Sequence, residues 1–220
     1  MEGSTMNMTA IDIETIPDPG LPATLMPTDE ECAAPSNWKD DDKIAEKVSE
    51  NREKKINQFG LSPITGKILM IGFLKFDTEP GNDIVTETIF SSVGRDYKEF
   101  LTEAAHYLDN EVIHVVTYRG KKFDLPYMMY QFALNQIPCG TRIPELCKKY
   151  SNSPSLDLYD FLGEDGSLSK HAYRFGGSPY GKGSEVALLH HQRRYDEIAK
   201  HLSSDLQETA RIAKAFAPYM

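Results

Sequence analysis

The segment Met8-Thr9-Ala10-Ile11-Asp12-Ile13-Glu14-Thr15-Ile16 constrains this chain more than any other. It reads as a buried β-strand, yet it carries two carboxylates, Asp12 and Glu14, at positions i and i+2. A strand sends i and i+2 to the same side of its sheet, so both acids point one way. Burying like charges side by side is costly unless a cation lies between them. An all-oxygen donor set suits magnesium or manganese, held by a few carboxylates together with water and phosphate. The competing reading is a strand end whose acids face solvent. Two acidic segments downstream weigh against it, because they fit the same site.

Length and composition, 220 residues with 40% hydrophobic and 26% charged, match one ordinary domain with decorations. Residues 1–7 read as a disordered lead, and residues 8–220 as a single domain with an irregular and helical excursion at about 18–60. Cys32, Cys139 and Cys147 lack CxxC spacing, so neither a disulfide framework nor a zinc site is indicated. A reducing, cytoplasmic compartment fits that usage. No signal peptide and no apolar run of roughly 18 residues is present, which argues against a membrane partner. A net charge of −9 argues against a broad basic face gripping duplex DNA.

Periodicity predicts the elements. Strands are expected at 8–16, 67–76, 84–90 and 112–118, and a turn at Glu79-Pro80-Gly81-Asn82-Asp83 makes the second and third strands a hairpin. Helices are expected at 40–58, 96–110, 125–135 and 194–216. The first helix is dense in alternating charge and reads as a solvated face or as an arm beside a substrate. Antiparallel strands followed by helix, strand and helix predict a mixed α/β sheet flanked by helices.

Two further segments carry chemistry. Tyr118-Arg119-Gly120-Lys121-Lys122-Phe123-Asp124-Leu125-Pro126 follows the fourth strand, with Asp124 at or just before a helix start and Pro126 in its first turn. His201-Leu202-Ser203-Ser204-Asp205 lies in the last helix, where i and i+4 put His201 and Asp205 on one face. Each segment has a plainer reading, an N-cap and a surface helix pair. The pieces support one another only if they share a cleft. Arg174-Phe175-Gly176-Gly177-Ser178-Pro179-Tyr180-Gly181-Lys182-Gly183 is Gly-rich but does not match a phosphate loop, and reads as a flexible connector.

These three acidic segments resemble, in order and spacing, the three exonuclease motifs of the DEDD, or DnaQ-like, 3′–5′ exonuclease superfamily, which has a ribonuclease H-like fold. The resemblance is closest to the branch of predicted 3′–5′ exonucleases related to the proofreading domain of family B DNA polymerases. Trp38-Lys39-Asp40-Asp41-Asp42-Lys43-Ile44, Leu61-Ser62-Pro63-Ile64-Thr65-Gly66-Lys67-Ile68 and Ser155-Leu156-Asp157-Leu158-Tyr159-Asp160 are similar to further segments of that branch. The likeness covers residues 8–216.

The resemblance implies that Asp12 bridges two divalent ions, Mg2+ or Mn2+, that Glu14 and Asp205 complete one site, and that Asp124 holds the second. Two such ions, roughly 3.5–4 Å apart, activate the attacking water and stabilise the leaving 3′-oxygen. His201 departs from the pattern. It stands at the spacing of the tyrosine subclass, whereas the histidine subclass places its histidine one position further from the aspartate. A neutral imidazole is a better base near pH 7 than a phenol. The base stays open between His201 and chemistry that needs no protein base. Thr15 and Ile16 match positions that touch the terminal nucleotide. Phe123 either stacks on a base or belongs to the core, while Arg119, Lys121 and Lys122 suit backbone phosphates. The implied activity is 3′–5′ hydrolysis of single-stranded DNA ends, releasing nucleoside monophosphates. RNA trimming, or a non-catalytic nucleic-acid-binding module, are the alternatives. Proofreading would require a separate polymerase or repair partner.

Overall fold

The computed structural model describes residues 7–79, 85–138, 142–148, 154–162 and 166–219. Residues 1–6 of the lead expected at 1–7, the turn residues Pro80 to Asp83, Ile84 and Cys139 lie outside the described residues, whereas Asn7 is the first residue of the first strand.

Among the described residues, five strands form one sheet: β1 (Asn7–Pro17), β2 (Gly66–Asp77), β3 (Val85–Ser91), β4 (His114–Thr117) and β5 (Ser155–Asp157). Their order is β3-β2-β1-β4-β5. The sheet is mixed. β2 and β3 run antiparallel with Phe73 opposite Thr88, whereas β1 pairs β4 in parallel with Thr9 opposite Val115. β5 pairs β4 in parallel, with Thr117 opposite Asp157. It is too short to show a period, so periodicity alone marks no strand there.

The described residues also form eight α-helices in chain order. They are α1 (Asp41–Asn57), α2 (Tyr97–Glu111), α3 (Asp124–Leu134), α4 (Arg142–Leu146), α5 (Leu158–Leu162), α6 (Leu168–Arg174), α7 (Val186–His191) and α8 (Tyr195–Phe216). Two of the long ones start where capping chemistry allows. Asp40 accepts from the Lys43 amide at 3.2 Å, and Asp96 from the Glu99 amide at 2.9 Å, each satisfying an orphan donor of the first turn.

The chain forms two compact units, Met1–Glu14 with Ile68–Met220, and Thr15–Lys67. In the smaller unit no residue of α1 is buried, in keeping with its charged sequence. Arg52 ties that helix to the irregular segment before it, donating to the Pro27 carbonyl at 2.8 Å and pairing with Asp29. Lys67 pairs with Asp18 at 3.2 Å.

In the larger unit the strand period sorts residues between two faces. Ile11, Ile13, Ile71 and Phe73 join Phe100, Leu101, Ala104, Leu108, Leu125, Met128 and Phe132 in the core beneath α2 and α3. The alternate residues Asp12, Glu14 and Gly72 face the side that α8 covers, where Leu202 and Leu206 crowd against β2. A Cβ on Gly72 would lie 2.5 Å from the Leu206 Cδ1, so only glycine lets the helix approach this closely. That contact sets the height of α8 above the acids of β1.

Candidate active site

Three chain segments bring their acids together. β1 supplies Asp12 and Glu14. Asp124 opens α3, and its Oδ1 accepts the amide of Ile13 at 3.1 Å, which ties the helix start to the strand between the two β1 acids. α8 supplies His201 and Asp205, and the His201 Nε2 lies 3.7 Å from Glu14 Oε1 and 3.8 Å from Asp205 Oδ2. β1 and β4 run in parallel, so the end of β1 and the β4–α3 turn lie at the same edge of the sheet, where open α/β folds place their ligands.

The charges are mutually unfavourable. Burial, then Asp124, Asp205 and Glu14, hold the Asp12 carboxyl well above the ordinary aspartate range. A hydrogen bond joins Asp12 and Asp124, so the two carboxyls titrate as a pair. Burial lifts Asp124 to about 7, against the amides of Asp124 itself and of Ile13, which favour its charged form. Glu14 is held well above its usual range by burial, with Asp205 and Asp124 adding to it. Asp205 is raised by burial and partly relieved by His201. Desolvated acids that raise one another's proton affinity mark a candidate functional site.

Among the described residues, no three His, Cys, Asp or Glu side chains are drawn round one point as a ready-made metal cage. The chemistry of the donors nonetheless fits a hard divalent ion: four carboxylates, raised in proton affinity chiefly by burial, would exchange a proton for a metal.

His201 is held from behind. Its Nδ1 lies 2.7 Å from the Tyr180 carbonyl oxygen. A carbonyl only accepts, so Nδ1 carries the hydrogen and the unprotonated face of the neutral ring is Nε2, toward the acids. The Gly-rich segment expected to be a flexible connector is instead strapped along α8. Ser178 donates its amide to Glu208 at 2.9 Å, and Tyr180 donates to the Ser204 hydroxyl at 2.8 Å. Gly177 sits so close that a Cβ would meet Glu208 Oε2 at 2.0 Å. Sequence reasoning missed Tyr180, Ser204 and Glu208 as supports. Their signal was the spacing of Ser204 and Glu208 from His201 along one helix.

The remaining predicted residues divide. Arg119 and Lys122 are exposed and Lys121 is half-buried. The Arg119 guanidinium lies 4.1 Å from the centre of the Tyr159 ring and donates to its hydroxyl at 2.9 Å, while the Lys122 ammonium lies 4.9 Å from the same ring. Tyr159 thus gathers two cations beside the Asp124 turn. Phe123 packs against the core and stands 5.4 Å from Tyr127, ring centre to ring centre. Thr15, half-buried, and Ile16, buried, continue β1 beyond Glu14 and belong to the smaller unit.

A mixed five-stranded sheet flanked by helices, with Glu14 and Asp124 buried and Asp12 and Asp205 half-buried at the edge where its parallel strands end, defines an α/β domain of the ribonuclease H-like class. A profile of the RNase_H superfamily matches residues 56–177, more than half of the chain, and the chain belongs to that superfamily. Membership points to nuclease chemistry on a nucleic acid. Among solved structures, the family B DNA polymerase of the hyperthermophilic archaeon Pyrobaculum calidifontis superposes with a TM-score of 0.62 at 16% identity. The match covers 97% of this chain and 25% of the polymerase chain, so this chain spans a quarter of that protein, and the likeness is one of fold. No curated protein matches the sequence. Among the described residues, no helix is long and apolar enough to cross a membrane.

Proposed function

We propose that the chain is a divalent-metal-dependent 3′–5′ exonuclease that hydrolyses single-stranded DNA from its 3′ end and releases nucleoside monophosphates. The observation that carries this reading is the electrostatic union of Asp12, Glu14, Asp124 and Asp205, drawn from three distant segments, with His201 against two of them.

Asp12, Glu14, Asp124 and Asp205 would hold Mg2+ or Mn2+. When bound, the ions supply positive charge to the scissile phosphate and to the leaving 3′-oxygen. His201 presents Nε2 to the attacking water and takes its proton as the water oxygen bonds to phosphorus and the bond to the 3′-oxygen breaks. The Tyr180 carbonyl fixes the tautomer this requires and steadies the imidazolium that forms. Arg119 and Lys122, gathered on Tyr159, engage backbone phosphates, with Lys121 beside them. Thr15 and Ile16 contact the terminal nucleotide, and Phe123 props the turn from the core side. A cytoplasmic setting, with a separate polymerase or repair protein as partner, completes the proposal.

The test is incubation of 3′- and 5′-labelled DNA and RNA oligonucleotides with magnesium or manganese, beside an Asp12→Ala control. Metal-dependent shortening of single-stranded DNA from the 3′ end, absent in the control and abolished by EDTA, is expected. Shortening of RNA alone would move the substrate class, and cleavage of neither would overturn the reading.

A further inference from the structure

We propose that Asp157 is a positioning residue that sets Asp124 by clamping the turn between β4 and α3. The inference rests on the reading of Asp124 as an acid of the site. Asp157 is 2% exposed and lies at the end of β5, opposite Thr117 of β4. Its Oδ1 accepts the amides of Arg119 at 2.8 Å and Tyr159 at 3.1 Å, and its Oδ2 accepts the amide of Lys121 at 3.0 Å. One buried carboxylate therefore spends both oxygens on backbone amides, two of them from the turn that precedes Asp124.

The turn needs an outside hold. Arg119 adopts a left-handed conformation, φ 65°, which strains a residue that carries a Cβ. Gly120 folds back on the strand so tightly that a Cβ would lie 2.4 Å from the Thr117 Cβ. The strained segment passes its geometry forward through a continuous ladder. The Arg119 carbonyl accepts from Lys122 at 2.9 Å and Phe123 at 3.1 Å, and the Gly120 carbonyl accepts from Leu125 at 2.9 Å. Asp124 lies within that ladder, and its carboxylate closes on the Ile13 amide at 3.1 Å. Tyr159, two residues after Asp157, holds the Arg119 side chain from the outside. The path runs from Asp157 to Arg119 and Lys121, then to Asp124, then to the strand that carries Asp12 and Glu14.

The Ile13 amide reports where the Asp124 carboxylate sits, without any substrate or metal. The experiment is Asp157→Asn in the full chain, which keeps the size of the side chain but leaves an NH2 facing one of the turn amides. Amide hydrogen exchange by NMR is read for Arg119, Lys121 and Ile13, and steady-state cleavage of a labelled oligonucleotide is read in parallel. Exchange at Arg119 and Lys121 is expected to speed by roughly tenfold or more, with the Ile13 resonance moving toward its position in Asp124→Ala. The kcat is expected to fall by about 10²-fold with KM little changed, since a displaced catalytic group costs turnover rather than binding. An unmoved Ile13 amide, or loosened turn amides with kcat intact, overturns the proposal. If the wild type cleaves no nucleic acid, the nuclease reading falls while the exchange data still decide the clamp. Should Asp157→Asn fail to fold, the wild type supplies the measurement: Ile13, Arg119 and Lys121 amides are expected to open together, and independent opening of Ile13 overturns the proposal.

Discussion

The Nδ1 atom of His201 lies 2.7 Å from the carbonyl oxygen of Tyr180. This bond orients the imidazole so that Nε2 stands between Glu14 and Asp205, and it does so from a loop that the same helix pins in place through Ser204. His201→Ala is therefore expected to lower turnover near neutral pH by roughly 10²–10⁴-fold, the usual contribution of a positioned base. Binding of a single-stranded oligonucleotide, read by fluorescence anisotropy, is expected to change little. Unchanged turnover would remove His201 from the mechanism.

The crowded acids give stability a definite pH dependence. Asp124 is raised from 3.8 to about 7 by burial, so between those values the folded chain binds more protons than the unfolded chain. Stability from this group is fully present below about 3.8 and is lost as pH rises through about 7. Asp12, Glu14 and Asp205 shift in the same direction. Asp124→Asn keeps an acceptor for Ile13 and removes the charge. It is expected to raise stability above pH 7 by on the order of 1 kcal/mol or more, with little effect near pH 4. Thermal melts across pH, without divalent ions, measure this, and a wild-type melting temperature that rises from pH 4 to 7 relative to the variant would contradict it. Magnesium or manganese is expected to raise the wild-type melting temperature most at the alkaline end, where the acids are ionised.

Gly72 governs the approach of α8, because any Cβ there would run into Leu206 and Leu202. Gly72→Val is expected to destabilise the fold by about 1–3 kcal/mol, the usual cost of overpacking. Since α8 carries both His201 and Asp205, cleavage is expected to fall further than the folded fraction alone predicts. Urea titration beside specific activity per folded molecule separates the two effects.

Arg119→Ala and Lys122→Ala test the cations gathered on Tyr159. Removing either cation is expected to weaken single-strand binding regardless of sequence and to reduce the slope of log affinity against log salt by about 0.7. A slope that stays the same in the double variant would place both residues outside the strand path.

Much of this was legible in the chain. The Asp12/Glu14 pair announced a strand with one charged face, and β1 extends from Asn7 to Pro17 as the alternation required. Asp40 and Asp96 marked helix starts, and the i, i+4 pair of α8 faces the acids as helical geometry demands. Less legible were β5, whose brevity carries no period, and the strapped segment at 177–181, whose glycines read as freedom when they record close approach to α8. Phe123 could not be assigned from sequence either, since an aromatic beside a catalytic-looking acid serves equally as a base platform or as core, and here it packs on the core.

Local chemistry by itself marked the first four strands, the four longest helices and the positions of the four acids along the chain. Period, capping preference and charge are properties of neighbouring residues and need no fold to be read. Only the tertiary structure decided that Asp124 bonds the backbone between Asp12 and Glu14, that Tyr180 sets the His201 tautomer, and that Asp157 grips the turn before Asp124. Those contacts join residues 21 to 111 positions apart through backbone groups, and a backbone amide or carbonyl leaves no mark in the sequence of side chains that it serves.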